Sequence, residues 1–206
     1  MALYNEGMWE LFSQYGSQDR NSWLVLRTAG KRVFNASLVK EPAVILLAGD
    51  SLTATCFAKE LAEVALTALK GNPMAVDSTI IDGTSLRDSD VASVKKALLQ
   101  QLKSSLSQQS VFTLLALDSL AGDSPLILHS YCDHENAPFK KAFIILTVDV
   151  DASGTVGSRE CNAAVYRTLA DRWKTQLGFN KDKIDPFWAR IGKFVICLRS
   201  QPNIEC

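Results

Sequence analysis

"AVILLAGDSLTATC", residues 43–56, decides the fold. An apolar run suited to a buried strand enters a Gly49-Asp50 turn, and a helix is expected to start at Thr53-Ala54-Thr55-Cys56. In nucleotide-binding α/β proteins this position carries a P-loop, whose glycines let the backbone approach phosphate and whose Lys-Ser/Thr pair completes the cradle. Here Gly49 is the one glycine and no lysine occurs before Lys59. The stretch has the strand–turn–helix start of a nucleotide binder without the residues that hold phosphate.

Outward from it, strand and helix alternate. "EP" at 41–42 ends an N-terminal region, residues 1–40, that reads as a short helix, a turn, and a further helix or extended arm, because the residue before proline avoids the helical region. After the first strand, Phe57, Leu61, Val64 and Ala68 fall on one face at helical spacing, and Gly71-Asn72-Pro73 stops that helix. "STIIDG" (78–83) is a second strand. Asp88, Ser89 or Asp90 can cap the next helix, whose stripe is Val91, Val94, Leu98 and Leu102. "VFTLLAL" (111–117) is a third strand closed by Asp118. "SPLILHSYC" (124–132) is a short helix with proline in its first turn, and "KAFIILTVDV" (141–150) is a fourth strand. "DASGTVGS" (151–158) has linker composition. Val165, Leu169, Trp173 and Leu177 then face inward from a helix ended by Gly178. "PFWARIG" (186–192) reads as a short helical turn before a fifth strand, "KFVICLR" (193–199). Strands alternating with helices predict an α/β domain spanning 1–206: a mostly parallel five-stranded sheet with helices on both faces, three layers in all.

The bulk numbers are those of a globular chain. The 206 residues carry 22 basic and 22 acidic side chains, a formal net charge of zero. A nucleic-acid partner is not indicated, since phosphate binders show a basic excess. No apolar run reaches the roughly 18 residues that span a bilayer. The first residues show no basic n-region or apolar core, so no signal peptide is expected there. The five cysteines form no CxxC or CxxH pair, which argues against zinc. Asn35 begins an Asn-Ala-Ser sequon.

Tests for catalysis return little. Asp118 stands where a Walker-B acid would, with no second acid beside it. With no lysine and no glycine-rich loop, the sequence argues against an ATPase. G-x-S-x-G is absent, and the only histidines, His129 and His134, lie five apart and share no helical face. Cys132, Asp133, His134 and Glu135 are potential ligands, but consecutive residues cannot all face one ion.

The string that contains them carries a resemblance. "YCDHENAPFKKAFIILTV", with "EPAVILLAG", "IIDGTSLRDSD" and "PFWARIGKFVICL" in the same order and spacing, resembles the luminal domain of the torsin activators. That family comprises lamina-associated polypeptide 1 and its luminal-domain-like relative, and the likeness runs from about Trp23 onward. It implies an AAA+-like fold with a degenerate P-loop, no nucleotide and no cofactor. It also implies a non-catalytic role: docking beside an ATP-bound torsin and supplying, in trans, the arginine finger that torsins lack. The finger matches Arg190 of "FWAR", in a turn from which a long side chain can reach outward. Glu135 matches the interface loop, as a partner contact or as a local cap that orders the "CDHEN" turn. Full-length members have one transmembrane helix and place this domain in the perinuclear space or endoplasmic reticulum lumen. The chain thus looks like a luminal fragment, and glycosylation at Asn35 and a disulfide become expected. Cys56, Cys132 and Cys206 match family cysteines. In an AAA+-like sheet the tail after the fifth strand can reach the first helix, so Cys56–Cys206 is the expected pair and Cys132 the rival partner. Cys161 and Cys197 look particular to this sequence, and their state is left open. Two other functions compete: a structural tether at the nuclear envelope, and a divergent nucleotide hydrolase using Asp118.

Overall fold

The computed structural model describes residues 1–35, 40–71, 79–150, 158–175, 178–201 and 203–206. Its centre is β1 (Ala43–Gly49), a seven-residue strand buried throughout. With β2 (Ile80–Asp82), β3 (Val111–Leu115), β4 (Phe143–Asp149) and β5 (Phe194–Cys197) it forms one sheet in the order β2-β3-β4-β1-β5. Every pairing is parallel, so the expectation of a mostly parallel sheet is met by a fully parallel one.

Successive side chains of a strand point to opposite faces, and this alternation divides the interior into two cores. Val44, Leu46 and Ala48 of β1 join Ile144, Leu146 and Phe112 on one face. Ala43, Ile45 and Leu47 join Phe143, Ile145 and Val111 on the other. Three helices cover the second face: α1 (Ala2–Gln14), α2 (Arg20–Phe34) and α3 (Ser51–Lys70). The first face is covered by α4 (Val91–Gln108), α5 (Ser158–Trp173) and α6 (Lys181–Ile191).

The N-terminal region is two helices packed into the second core, not an extended arm: Tyr4, Leu11, Leu26 and Ala29 are buried there. Tyr4 lies directly on Gly30, where a Cβ would come within 2.1 Å of the ring, so α1 and α2 approach closely only because residue 30 is glycine. The Tyr4 hydroxyl donates to the Leu26 carbonyl at 3.0 Å, which satisfies its one buried polar group.

Caps set the helix ends. Asp50 accepts from the Thr53 amide at 2.9 Å, so α3 begins at Ser51, two residues before the start expected from sequence. Of the three candidate caps for α4, Asp90 serves, accepting from the Ser93 amide at 3.0 Å. Gly71, at φ +71°, closes α3 in the left-handed conformation that glycine adopts without Cβ strain. The segment expected as a helix from Ser124 is a 3₁₀ turn over Ser124–Leu128. The linker stretch 151–157 and Leu177 lie outside the described residues.

The largest difference concerns residues 186–192. Residues 186–191 form the end of α6, an eleven-residue helix with Pro186 inside it, and Gly192 is its C-cap. Proline removes an amide donor and reads as a helix start. Packing overrides that cue here. Phe187 sits 5.5 Å from Trp173, which stacks on Phe179 at 4.7 Å, and Trp188 meets Tyr166 edge-on at 5.4 Å. These rings fix the rotation of α6 on α5.

Two cysteine pairs stand at disulfide distance. Cys56 and Cys206, Cα atoms 5.3 Å apart, join the second turn of α3 to the C-terminal tail. Cys161 and Cys197, 5.7 Å apart, join α5 to β5, while Cys132 is a buried free thiol. The pairs close sequence separations of 150 and 36 residues. In the chain-entropy model, each taken alone contributes about 5 and about 4 kcal/mol respectively. Non-reducing peptide mapping should recover both pairs with Cys132 alkylatable only after denaturation, and Cys56→Ser should lower the urea midpoint more than Cys161→Ser. Equal midpoints for wild type and both variants would show that neither bond forms.

Candidate functional site

The carboxyl ends of β1, β3 and β4 open on a cleft of about 580 Å³, lined by Ser51, Thr84, Arg87, Asp118, Asp149 and Arg172 among others. Open parallel sheets bind ligands at strand carboxyl ends where the strand order reverses, and here β1 is flanked by β4 and β5. The expected nucleotide position is thus present as a place. Its chemistry is different. A P-loop needs a glycine-rich bridge between strand and helix, but Asp50 is the single residue between Gly49 and Ser51. The Asp50 carboxylate occupies the amide end of α3 that would face an anion. Burial works against that carboxylate, but hydrogen bonds from Thr53 and Ser200 hold it below the usual carboxylate range. The tail closes over the same turn: the Gln201 amide donates to the Thr53 hydroxyl at 2.9 Å, and Cys206 is tied to Cys56.

Asp118 is also committed. Ala116 sits at φ 50°, a left-handed conformation uncommon outside glycine, and its amide donates to the Thr147 hydroxyl at 2.8 Å. That turn swings Asp118 back over β4, where Oδ1 accepts from the Asp149 amide at 3.1 Å and Oδ2 pairs with Arg172. Burial pushes the Asp118 carboxyl up, against the pull of the Asp149 amide and the Arg172 charge. The residue read as a Walker-B-like acid is a structural link between β3, β4 and α5.

Arg190 lies elsewhere. It stands in the last turn of α6 beside Glu41, Pro42, Val44, Cys132, His134 and Phe194, at the amino ends of β1 and β5. With β1 seven residues long, roughly 20 Å of strand separates it from the cleft. The side chain does not extend freely, as the sequence suggested; it folds back onto the loop after the 3₁₀ turn. Nε donates to Asp133 Oδ2 at 3.1 Å, Nη2 approaches the same oxygen at 2.9 Å, and Nη1 donates to the Pro186 carbonyl at 2.9 Å. The guanidinium side chain remains 23% exposed.

Asp133 is the hub of "CDHEN". Its Oδ1 accepts from the Asn136 amide at 2.7 Å and the Glu135 amide at 2.9 Å, an Asx turn of the kind aspartate favours. Foremost through the Asn136 amide, and further through Glu135 and Arg190, its carboxyl is held down to about 2. His129 is lowered by burial and by the Arg190 charge, and burial pushes the Cys132 thiol up.

The cap that orders this loop is therefore Asp133, not Glu135. Glu135 contributes only its backbone to the turn, and its carboxylate, with a 77% exposed side chain, reaches His134 at 3.9 Å. Arg190 and Glu135 share one rim of the molecule through Asp133; Asp118 does not belong to it. Sequence reading missed Asp133, weighed there only as a metal ligand; the usable signal was an Asp two residues before Glu135 and three before Asn136, the spacing of an Asx turn. Among the described residues no group of three or more His, Cys, Asp and Glu is placed to hold a metal ion. Asn35 closes α2, and the sequon residues Ala36 and Ser37 lie outside the described residues. Among the described residues no helix is long and apolar enough to cross a membrane.

Comparison with known proteins adds a family. A family model described as "Lamina-associated polypeptide 1, AAA+ activator domain" matches residues 1–206. Torsin-1A-interacting protein 1 is 30% identical to this chain in Pongo abelii, 29% in Homo sapiens and 28% in Rattus norvegicus, each over 98% of the chain. The chain spans about a third of the length of these relatives, 35%, 36% and 36% respectively. With a parallel five-stranded α/β sheet and a match along its whole length, this chain belongs to the family of lamina-associated polypeptide 1 AAA+ activator domains.

Proposed function

We propose that this domain activates a torsin ATPase by docking beside its ATP-bound form, within a mixed ring, and presenting Arg190 to the partner's phosphates. One observation carries the reading: Arg190 and the domain's own strand-end cleft lie at opposite ends of the sheet. An arginine roughly a strand's length of 20 Å from its own cleft has no phosphate of its own to serve. In the proposed ring, the amino-end rim of this sheet is set against the cleft of the torsin neighbour. The similarity to proteins named for interaction with torsin-1A supports torsin as that neighbour.

The chemistry asked of Arg190 is electrostatic. A guanidinium stays charged at any physiological pH and offers rigid parallel donors that match phosphoryl oxygens. Supplied across an interface, it stabilises the charge that spreads over the transferred phosphoryl group, an effect worth about 10³–10⁵ in rate. Exposed Glu135, on the same rim, is the companion contact. The domain itself acts without nucleotide and without catalysis of its own: Asp50 holds the helix end where phosphate would bind, and Asp118 is engaged by Arg172. The domain resides in the perinuclear space or endoplasmic reticulum lumen, carried by a membrane-anchored full-length protein. The cysteine pairs and the Asn35 sequon are compatible with that oxidising, glycosylating compartment.

Titration of the isolated domain with Mg²⁺-ATP should give no heat beyond dilution; micromolar binding would refute the degenerate-cleft reading. Arg190→Ala should reduce ATP turnover by a torsin to its unstimulated level, while pull-down on ATP-trapped torsin persists. Arg190→Lys should fail nearly as badly, because a point charge does not reproduce the planar fork. Full stimulation by Arg190→Ala would move the finger to another arginine. Arg172, committed to Asp118, is a poor substitute, and exposed Arg167 would be tested first.

A further inference from the structure

Arg190 has five N–H donors; two are in hydrogen bonds, one on Nε and one on Nη1, and Nη2 stands at ion-pair distance from Asp133. Nε donates to Asp133 Oδ2, and Nη2, on the same side of the guanidinium, stands 2.9 Å from that oxygen. One N–H of Nη1 goes to the Pro186 carbonyl, four residues back on the same helix. Beyond these contacts Nη1 keeps a second N–H, and no hydrogen bond from Nη2 is formed among the described residues. Nη1 and Nη2 together make the outer end of the planar guanidinium, the edge that can grip two oxygens of a carboxylate or phosphate.

We infer that Asp133 is the positioning residue of Arg190, holding the guanidinium by its inner side so that its outer edge is preset for a phosphoryl group of the partner. The inference rests on the reading of Arg190 given above. Three features make Asp133 suited to the task. Its backbone is held, since the adjoining Cys132 amide donates to Leu128 and the Ala137 amide donates to the Asp133 carbonyl. Its two carboxylate oxygens divide their work, Oδ1 ordering the loop and Oδ2 holding the arginine. The two loop amides on Oδ1 draw off part of the carboxylate's charge, so the pair fixes the guanidinium without cancelling its use as a donor.

That division allows a clean test. Asp133→Asn keeps an acceptor at Oδ1 for the Glu135 and Asn136 amides, but replaces Oδ2 with an NH₂ that cannot accept from arginine. The domain is mixed with ATP-loaded torsin and compared as wild type, Asp133→Asn, Arg190→Ala and the double variant. Stimulated turnover with Asp133→Asn should fall about 10- to 100-fold, the scale expected when a reacting group is displaced by about 1 Å. The concentration giving half-maximal stimulation should stay within about twofold, since the docking surface is unchanged. The double variant should be no worse than Arg190→Ala alone. In the free domain, the Arg190 Nε–H should exchange slowly with solvent by NMR in wild type and rapidly in Asp133→Asn, a readout that needs no torsin.

Wild-type stimulation by Asp133→Asn would overturn the inference. So would parallel loss of binding and turnover, which would make Asp133 a docking contact, or a wild-type Nε–H exchanging as fast as free arginine. This last measurement decides the matter even if Asp133→Asn does not fold. Full stimulation by Arg190→Ala would instead remove the parent reading, whatever Asp133 does.

Discussion

The structure depends on burying β1 on both faces at once. All seven of its residues are buried, and the strand hydrogen-bonds to β4 on one side and β5 on the other. A strand enclosed this way needs helices above and below, and parallel neighbours need crossovers that supply them. The α/β order, the three layers and the two cores follow from that one requirement. So does the separation of the two ends of the sheet, which keeps the cleft and Arg190 apart.

The departure from a P-loop is concentrated in the turn after β1. A single-residue connection leaves no room for a loop of phosphate-facing amides, and Asp50 places a carboxylate where an anion would otherwise sit. The C-terminal tail then lies over that turn and is anchored by Cys206 on Cys56. The Asp118–Arg172 pair lines the cleft and links β3, β4 and α5. Each of these groups is engaged from within the chain.

The opposite rim is built with similar economy. The aromatic packing of Trp173, Phe179 and Phe187 sets α6 on α5, and the Cys161–Cys197 pair ties α5 to β5. Arg190 in the last turn of α6 then meets a loop that Asp133 has already ordered. The long side chain is thereby held in one place by contacts within the domain itself.

Arg190 stood out only through the family resemblance, whereas the sequence by itself determined the alternation of strands and helices and the absent phosphate cradle. Those are local properties: apolar runs, helical spacing, and the presence or absence of Gly and Lys at fixed offsets. Even the capping Asp90 was within its reach, because a cap and its helix are neighbours in sequence. Only the tertiary structure decided that Asp118 is bound to Arg172, that Cys161 meets Cys197, that residues 186–191 complete a three-turn helix despite Pro186, and that Asp133 rather than Glu135 orders the "CDHEN" loop and grips Arg190. Asp133 and Arg190 are 57 positions apart, and their meeting depends on where α6 comes to rest on α5. No periodicity records that, because it is set by how rings and side chains fill the space between elements rather than by their order along the chain.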